Sequence, residues 1–377
     1  MRRMDTLDFD VVIIGAGMAG ATAAAHCAWR GLKVALLEAE ESAGYHSTGR
    51  SAALWILNYG PPDVRRLSGA SRGFFDHPPE GFAPGPLIST RPVVNLAPPD
   101  QVAHLRQMIA EGAEIEEIDV AEVAAMVPAL RPGYAAMASI ERDAFDIDVA
   151  SLHNGFLKSA RAAGGVLALR HRAGRIWHEA GRWHAQASDG AVHRAKVLVN
   201  AAGAWGDEVA VIAGVARIGL QPKRRTALII DPGDHDCRGW PLLGDADHSW
   251  YARPEARRKL MVSPADETDM DPHDVQPDEI DVAIAVDRMQ QALDIPVNRV
   301  EHRWAGLRSF TPDRSLAIGF ERAAPGFLWL VGQGGYGIQT APAAGRLVAG
   351  IIAGDVDADV LPVAALADPD RFRRNAS

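Results

Sequence analysis

Apolar positions in this chain cluster into short, β-branched runs separated by alanine-rich stretches of helical spacing, a pattern that predicts a buried sheet with crossover helices. Asp10-Val11-Val12-Ile13-Ile14 and Lys33-Val34-Ala35-Leu36-Leu37 are the first two runs, and the segment between them completes an opening βαβ unit. Three more follow at wide intervals: Val166-Leu167-Ala168-Leu169, Lys196-Val197-Leu198-Val199-Asn200 and Phe327-Leu328-Trp329-Leu330-Val331. A helix is predicted from Val149 to Ala163, and an alternating pair over residues 175–187 reads as a β-hairpin around Gly181. The stretch Gln101 to Leu130 reads as helical, with a solvated acidic face of Glu111, Glu114, Glu116 and Glu117. Residues of about 60 to 100 are proline-rich and read as connecting structure, whereas 221 to 300 are polar and strand-rich with a loop from Pro264 to Asp281.

The first strand runs straight into Gly15-Ala16-Gly17-Met18-Ala19-Gly20. Gly15 permits the tight turn, Gly17 lets backbone approach a pyrophosphate, and Gly20 lets the following helix pack on the strand. The helix N-terminus then offers unpaired N–H groups and its positive dipole end to the anion. Glu38, at the end of the second strand, is placed to accept from ribose hydroxyls and to repel a ribose phosphate. The motif points to dinucleotide binding without choosing between NAD and FAD. Gly44 to Ala53 form a glycine-bounded loop whose Arg50, among small residues, suits phosphate or sugar contact. Asn200-Ala201-Ala202-Gly203-Ala204-Trp205 makes a second strand-to-helix turn, Gly332 to Thr340 a third, and Arg172-Ala173 close a strand near the expected adenine. Turns from distant segments imply a discontinuous nucleotide domain of residues 1–85, 146–220 and 305–377. Residues 86–145 and 221–304 are then the substrate domain.

With 377 residues and 47% hydrophobic content the chain can bury a large core. Its net charge of −9 argues against a nucleic-acid partner, and Pro222-Lys223-Arg224-Arg225 is too short a basic cluster to reverse that. Two cysteines, Cys27 and Cys237, leave no disulfide framework and suggest a reducing compartment. No apolar stretch is long enough for a transmembrane helix, so the expected location is cytoplasmic, with peripheral attachment to the inner membrane left open. Asp234-His235-Asp236-Cys237 is crowded into one loop, where adjacent residues rarely converge on a single ion, so no metal is expected.

Taken together, GAGMAG, Glu38, GYHSTGRSAA at 44–53, LVNAAGAW at 198–205, GLQPKRR at 219–225, WAGLRSF at 304–310 and QGGYGIQT at 333–340 resemble the D-amino-acid oxidase family of FAD enzymes. The likeness spans nearly the whole chain and is strongest to its D-arginine and D-amino-acid dehydrogenase branch. It implies a Rossmann-like FAD-binding domain with a mixed-sheet substrate domain, non-covalent FAD, a small D-amino acid as substrate, and an electron acceptor other than oxygen. The reaction implied is oxidative deamination, with hydride passing from Cα to flavin N5. By position, the resemblance assigns FAD contacts to Gly15, Gly17, Met18, Ala19, Gly20, Glu38, Ala39, Gly49, Arg50, Ser51, Ala52, Arg172, Ala173, Ala202, Gly203, Trp205, Gly335, Tyr336, Gly337, Ile338, Gln339 and Thr340.

It also assigns substrate-carboxylate binding to Arg225 and Arg308, active-site tyrosines to Tyr59 and Tyr251, and flavin-edge positions to Gly335 and Gln339. A planar guanidinium suits a carboxylate because it binds in two places and fixes the direction of the Cα–H bond. The departures decide specificity. Val93 stands where that branch carries a glutamate for a guanidinium, Leu54 replaces a histidine and Ile56 a threonine. An apolar pocket cannot satisfy a buried cation, so D-arginine and D-lysine are expected to be poor substrates and neutral D-amino acids good ones. Three alternatives stay open: an oxidase of glycine, sarcosine or proline type that makes hydrogen peroxide, a non-catalytic flavin-binding subunit, and a 2-hydroxy acid oxidoreductase.

Overall fold

The computed structural model describes residues 6–374. The five apolar runs assemble with Ala317–Phe320 into one six-stranded sheet, ordered Val166–Ala168, Val34–Leu37, Val11–Ile14, Val197–Asn200, Phe327–Val331, Ala317–Phe320. Neighbours are parallel except for the last pair. Alternation splits each strand between two cores, because successive side chains point to opposite faces. Val11, Ile13, Val34, Leu36 and Val199 pack with the helices Met18–Trp29, Val149–Ala162 and Ala341–Ala353. Val12, Ile14, Ala35, Leu37 and Leu198 meet Ile176, Trp183 and Ala185 of the hairpin. That hairpin pairs Ala173–Glu179 with Arg182–Ala187, and Ala180 and Gly181 at its tip both have positive φ, as a two-residue turn of this hand requires.

A second, nine-stranded sheet carries Val93–Ala97, Met137–Glu141, Gln221–Ile230, Leu242–Asp245, Tyr251–Glu255, Lys259–Ser263 and Val300–Phe310 among its strands. One face is apolar: Val94, Leu96, Ala138, Ile140, Leu228, Leu243, Ala252 and Val262 are buried beneath Val123 and the helix Glu279–Ala292. The register fixes what the other face presents. Val93 lies opposite Glu141 and Leu242, Gly244 opposite Tyr251, Tyr251 opposite Ser263, Arg225 opposite Gly306, and Lys223 opposite Arg308. Paired residues share a face, so Glu141, Val93, Leu242, Tyr251, Arg225 and Arg308 all rise from the same side.

Two expectations fail. Gln101 to Leu130 is not one helix but the helix Val102–Glu111, the strand Ile115–Ile118 and the helix Val120–Met126. Gly112 ends the first helix, Glu114 turns through φ 57°, and the Asp119 carboxylate caps the second helix at the Ala121 N–H. Glu116 and Glu117 therefore sit on a strand paired with Met137–Glu141. Residues 60–100 are likewise more than connection, for they contain the helix Pro62–Asp76 and the strands Ile88–Thr90 and Val93–Ala97.

Candidate active site

A single long cleft runs from the Gly15 turn, across the ends of the parallel strands, to the exposed face of the large sheet. Gly15, at φ +101°, turns so tightly against the second turn that a Cβ would lie 2.6 Å from the Ala201 carbonyl oxygen. At Gly20 a Cβ would lie 1.8 Å from the Gly15 carbonyl oxygen, so glycine is required for the helix to begin this close to the strand. The Glu38 carboxylate, nearly buried, accepts the Ala16 and Glu40 N–H groups at 2.9 and 3.0 Å, which holds it at the cleft wall. Its remaining lone pairs are in place for hydroxyl donors. Thr48 Oγ1 accepts the Met18 N–H at 2.9 Å and so caps the helix whose own N-cap residue, Gly17, has no side chain to do it.

Most positions assigned to the cofactor line this cleft: Gly15, Gly17, Met18, Ala19, Glu38, Ala39, Arg50, Ser51, Ala52, Arg172, Ala173, Ala202, Gly203, Trp205, Gly335, Gly337 and Ile338. Five do not. Gly20 is covered by the Gly15 turn and Gly49 hydrogen-bonds back to the Gly44 oxygen at 2.7 Å. Tyr336 is buried edge-on against Tyr59, and Thr340 Oγ1 donates to the Tyr336 oxygen. Gln339, 2% exposed, turns away from the cleft: its side chain accepts the Ile56 N–H and donates to the Ile56 oxygen, both at 3.2 Å, and donates to Ser68 Oγ at 2.6 Å. Both amide hydrogens are thus committed to Ile56 and Ser68, and the Gln339 side chain faces the 56–58 segment rather than the cleft. Arg50 is also different from expectation. Its guanidinium is held by the Val275 and Ala305 oxygens at 3.1 and 3.0 Å and by the Asp274 carboxylate, so it ties the loop to the large sheet rather than reaching for a phosphate.

At the far end, Arg308 Nη1 donates to Tyr59 Oη at 3.0 Å. Burial opposes the Arg308 charge, but the oxygens of Tyr59 and Tyr251 outweigh it and raise its pKa. Burial likewise works to raise Tyr251, yet Arg308 and Arg225 prevail and lower it. The two arginines and the tyrosine thus form one electrostatic group. Arg225 is oriented from behind by the Asp266 carbonyl at 2.9 Å and by Glu267 at 3.3 Å, and Glu267 is shared with Arg314. Gly335 leaves the space these side chains fill: a Cβ there would stand 2.6 Å from Tyr59 Oη and 2.9 Å from Arg308 Nη1. Leu54 and Ile56 come together with the distant Val93, Ala144 and Leu242 in one small apolar cluster on the same sheet face, beside the cleft rather than among the residues that line it.

Sequence reading passed over Thr48, Trp304 and Gly306, which also line the cleft. Alternation would have found two of them, since Trp304, Gly306 and Arg308 follow each other at period two on one strand. His46 sits at the Glu38 end, 3.2 Å from Glu40 and with its ring 4.5 Å from that of Trp205. Asp236 is spent on Arg238, and Cys237 is buried beside it.

A glycine-turn cleft that runs on to an arginine-bearing sheet face defines the class as a dinucleotide-binding protein. Comparison makes that class specific: residues 10–351 match the model for FAD dependent oxidoreductases (DAO), and the chain belongs to that family, with FAD as its cofactor. One subunit of the anaerobic glycerol-3-phosphate dehydrogenase of Escherichia coli K12 is 29% identical over 250 residues, covering 61% of this chain and 44% of that protein. The chain therefore spans under half the length of this curated relative. Among solved structures, L-proline dehydrogenase from P. horikoshii has a TM-score of 0.85 at 21% identity, covering 98% of this chain and 99% of its own. Glycine oxidase from Geobacillus kaustophilus has a TM-score of 0.83 at 19% identity, covering 95% and 98%. At such identities the likeness shows the fold: a Rossmann-like FAD-binding part with a mixed-sheet substrate part. No helix among the described residues is long and apolar enough to cross a membrane.

Proposed function

We propose that the chain is a FAD-dependent D-amino-acid dehydrogenase selective for neutral, hydrophobic substrates. The observation that carries this reading is the shared face on which Arg308, Arg225 and Tyr251 stand beside the apolar cluster of Leu54, Ile56 and Val93. One end suits a carboxylate and the other an uncharged side chain. The amino-acid substrate class is also in keeping with the names of the proline and glycine enzymes of the same fold. The D configuration rests on the resemblance of GYHSTGRSAA, GLQPKRR and WAGLRSF to the D-arginine dehydrogenase branch.

Arg308 grips both carboxylate oxygens, Tyr251 donates its hydroxyl proton to one of them, and Tyr59 keeps the guanidinium aligned. Arg225 adds a second positive charge, so the substrate enters as an anion at its carboxylate end. FAD, held without a covalent bond, supplies the two-electron acceptor when bound. Glu141, the carboxyl that shares this face with the apolar cluster, is engaged by the Leu57 N–H and assigned no proton transfer, so the amine arrives neutral, its proton lost to water. The residues act by positioning, which supplies about 7–11 kcal/mol of a barrier in favourable cases. Loss of the Cα hydrogen with its electron pair from the neutral amine leaves an iminium ion, which sheds a proton to give the imine, and water converts this to a 2-oxo acid and ammonia. The electrons then leave to an acceptor other than oxygen.

Anaerobic mixing of the yellow protein with D- and L-leucine, D-methionine, D-phenylalanine, D-arginine, glycine, proline and 2-hydroxy acids, following flavin absorbance, tests this reading. Reduction by neutral D-amino acids is expected. Preference for D-arginine would overturn the pocket assignment, and reduction only by glycine, proline or a 2-hydroxy acid would replace the substrate. Peroxide released in air at the turnover rate would make the protein an oxidase.

A further inference from the structure

Tyr59 reaches Arg308 from a short strap, residues 56–58, and each of the three is tied down by a different side-chain bond. Ile56 is clamped at both its N–H and its oxygen by Gln339. Asn58 does the same to Ala113, donating to its oxygen and accepting its N–H, each at 2.8 Å. Between them, the Leu57 N–H donates to Glu141 Oε1 at 3.1 Å. The strap is thus pinned from the Ala341–Ala353 helix entrance on one side and from the large sheet on the other.

Glu141 is the unusual member of this set. It is 4% exposed and lies directly opposite Val93, on the face that carries the apolar cluster. Burial raises its pKa, against the opposing pull of its bonds to Asn58 and Leu57. An acid in such a place is costly to bury, and hydrogen bonding to an otherwise unpaired amide is what offsets the cost. A carboxyl reaches across from the sheet to the strap, whereas a shorter apolar residue would leave the Leu57 amide without an acceptor.

We infer that Glu141 is a positioning residue: by holding the Leu57 amide it fixes the strap that seats Tyr59 on Arg308 and Ile56 in the side-chain pocket. Tyr59 is then a fixed wall of the site rather than a swinging cover. The kinetic part of this inference rests on the proposed D-amino-acid reaction; the structural part does not.

The test compares holoenzymes carrying Glu141→Gln and Glu141→Leu. The amide oxygen of glutamine can still accept the Leu57 N–H, so Glu141→Gln is expected to keep wild-type kinetics within about twofold. Leucine cannot accept it. Hydrogen exchange over residues 55–59 should then accelerate about tenfold or more, and KM for D-leucine should rise by about the same factor while kcat changes less. Exchange over the Gly15–Trp29 segment is the internal control and stays unchanged. Should Glu141→Leu fail to fold, Glu141→Asp keeps a carboxylate but, one methylene shorter, draws it back from the Leu57 amide and should move the same two readouts in the same direction. Unchanged exchange at 55–59, or faster exchange with an unchanged KM, overturns the positioning role. Glutamine behaving like leucine overturns it too, since charge and not acceptance would then be what matters. If no D-amino acid reduces the flavin, the substrate reading fails while the exchange result still decides whether Glu141 holds the strap.

Discussion

Replacing Gly335 with alanine places one methyl group where Tyr59 and Arg308 meet, and the outcome can be worked from distances. The new Cβ would lie 2.6 Å from Tyr59 Oη, 2.9 Å from Arg308 Nη1 and 3.2 Å from Arg308 Cζ. Gly335 is not in the left-handed region, so the backbone accepts alanine and the side chains must give way. Carbon contacts settle at about 3.5–4.0 Å, so hydroxyl and guanidinium each retreat by roughly 1 Å. Their 3.0 Å hydrogen bond does not survive that movement. A charged hydrogen bond contributes about 1.5–3 kcal/mol, or roughly 10- to 150-fold. A misplacement of about 1 Å can cost on the order of a hundredfold in rate. The two routes agree, and kcat/KM for D-leucine should fall about 30- to 100-fold, with FAD content and melting temperature close to wild type. The assay is rapid-mixing flavin reduction under argon, with Gly73→Ala as control because a Cβ there meets nothing within 4 Å. A folded, flavin-loaded Gly335→Ala enzyme with wild-type kcat/KM would refute the placement of the substrate carboxylate on Arg308.

Arg308→Lys keeps the charge but loses the two-pronged grip, and kcat/KM should drop about a hundredfold or more, mostly through KM; near-normal kinetics in the same assay would exclude Arg308 from substrate binding. Val93→Glu should raise the D-arginine to D-leucine ratio of kcat/KM by at least about tenfold, an effect absent if Val93 faces away from the side chain. Gly15→Ala sets a Cβ against backbone that cannot yield, so the purified variant should lose FAD, read as the ratio of flavin to protein absorbance. Burial holds His26 down at about 3, and its Nε2 has no partner. The unfolded chain therefore binds a proton that the native one refuses, so this stability is present above pH 6.5 and is lost as pH falls toward 3. Urea unfolding at pH 7 and 5.5 should show that loss, at up to about 1.4 kcal/mol per pH unit, and His26→Leu should flatten it.

The nucleotide half was legible because its chemistry is local: a turn, an acid and a helix start lie within forty residues of one another. The apolar runs gave the correct sheet, since burial on both faces leaves a continuous apolar signature. The substrate half was legible only through resemblance, because its residues meet by strand register, which no short window of sequence contains. Gln339 and Arg50 show the limit of reading roles from residue type. Both are polar groups in glycine-rich strings, yet each is consumed by backbone atoms over two hundred positions away. The 101–130 misreading has a simpler cause, for one glycine and one capping aspartate outweighed helical spacing.

The six-stranded sheet has a consequence for how the molecule is made. Its central strand, Val197–Asn200, is flanked by Val11–Ile14 on one side and by Phe327–Val331 on the other. On a ribosome the sheet stays incomplete until the Phe327–Val331 strand has emerged, so until then the Val197–Asn200 strand has one edge of backbone N–H and C=O groups unpaired. Such long-range pairing is slow and aggregation-exposed. The Gln333 to Ile338 wall of the cofactor cleft follows that strand directly, so the cleft is complete only once this late segment is in place.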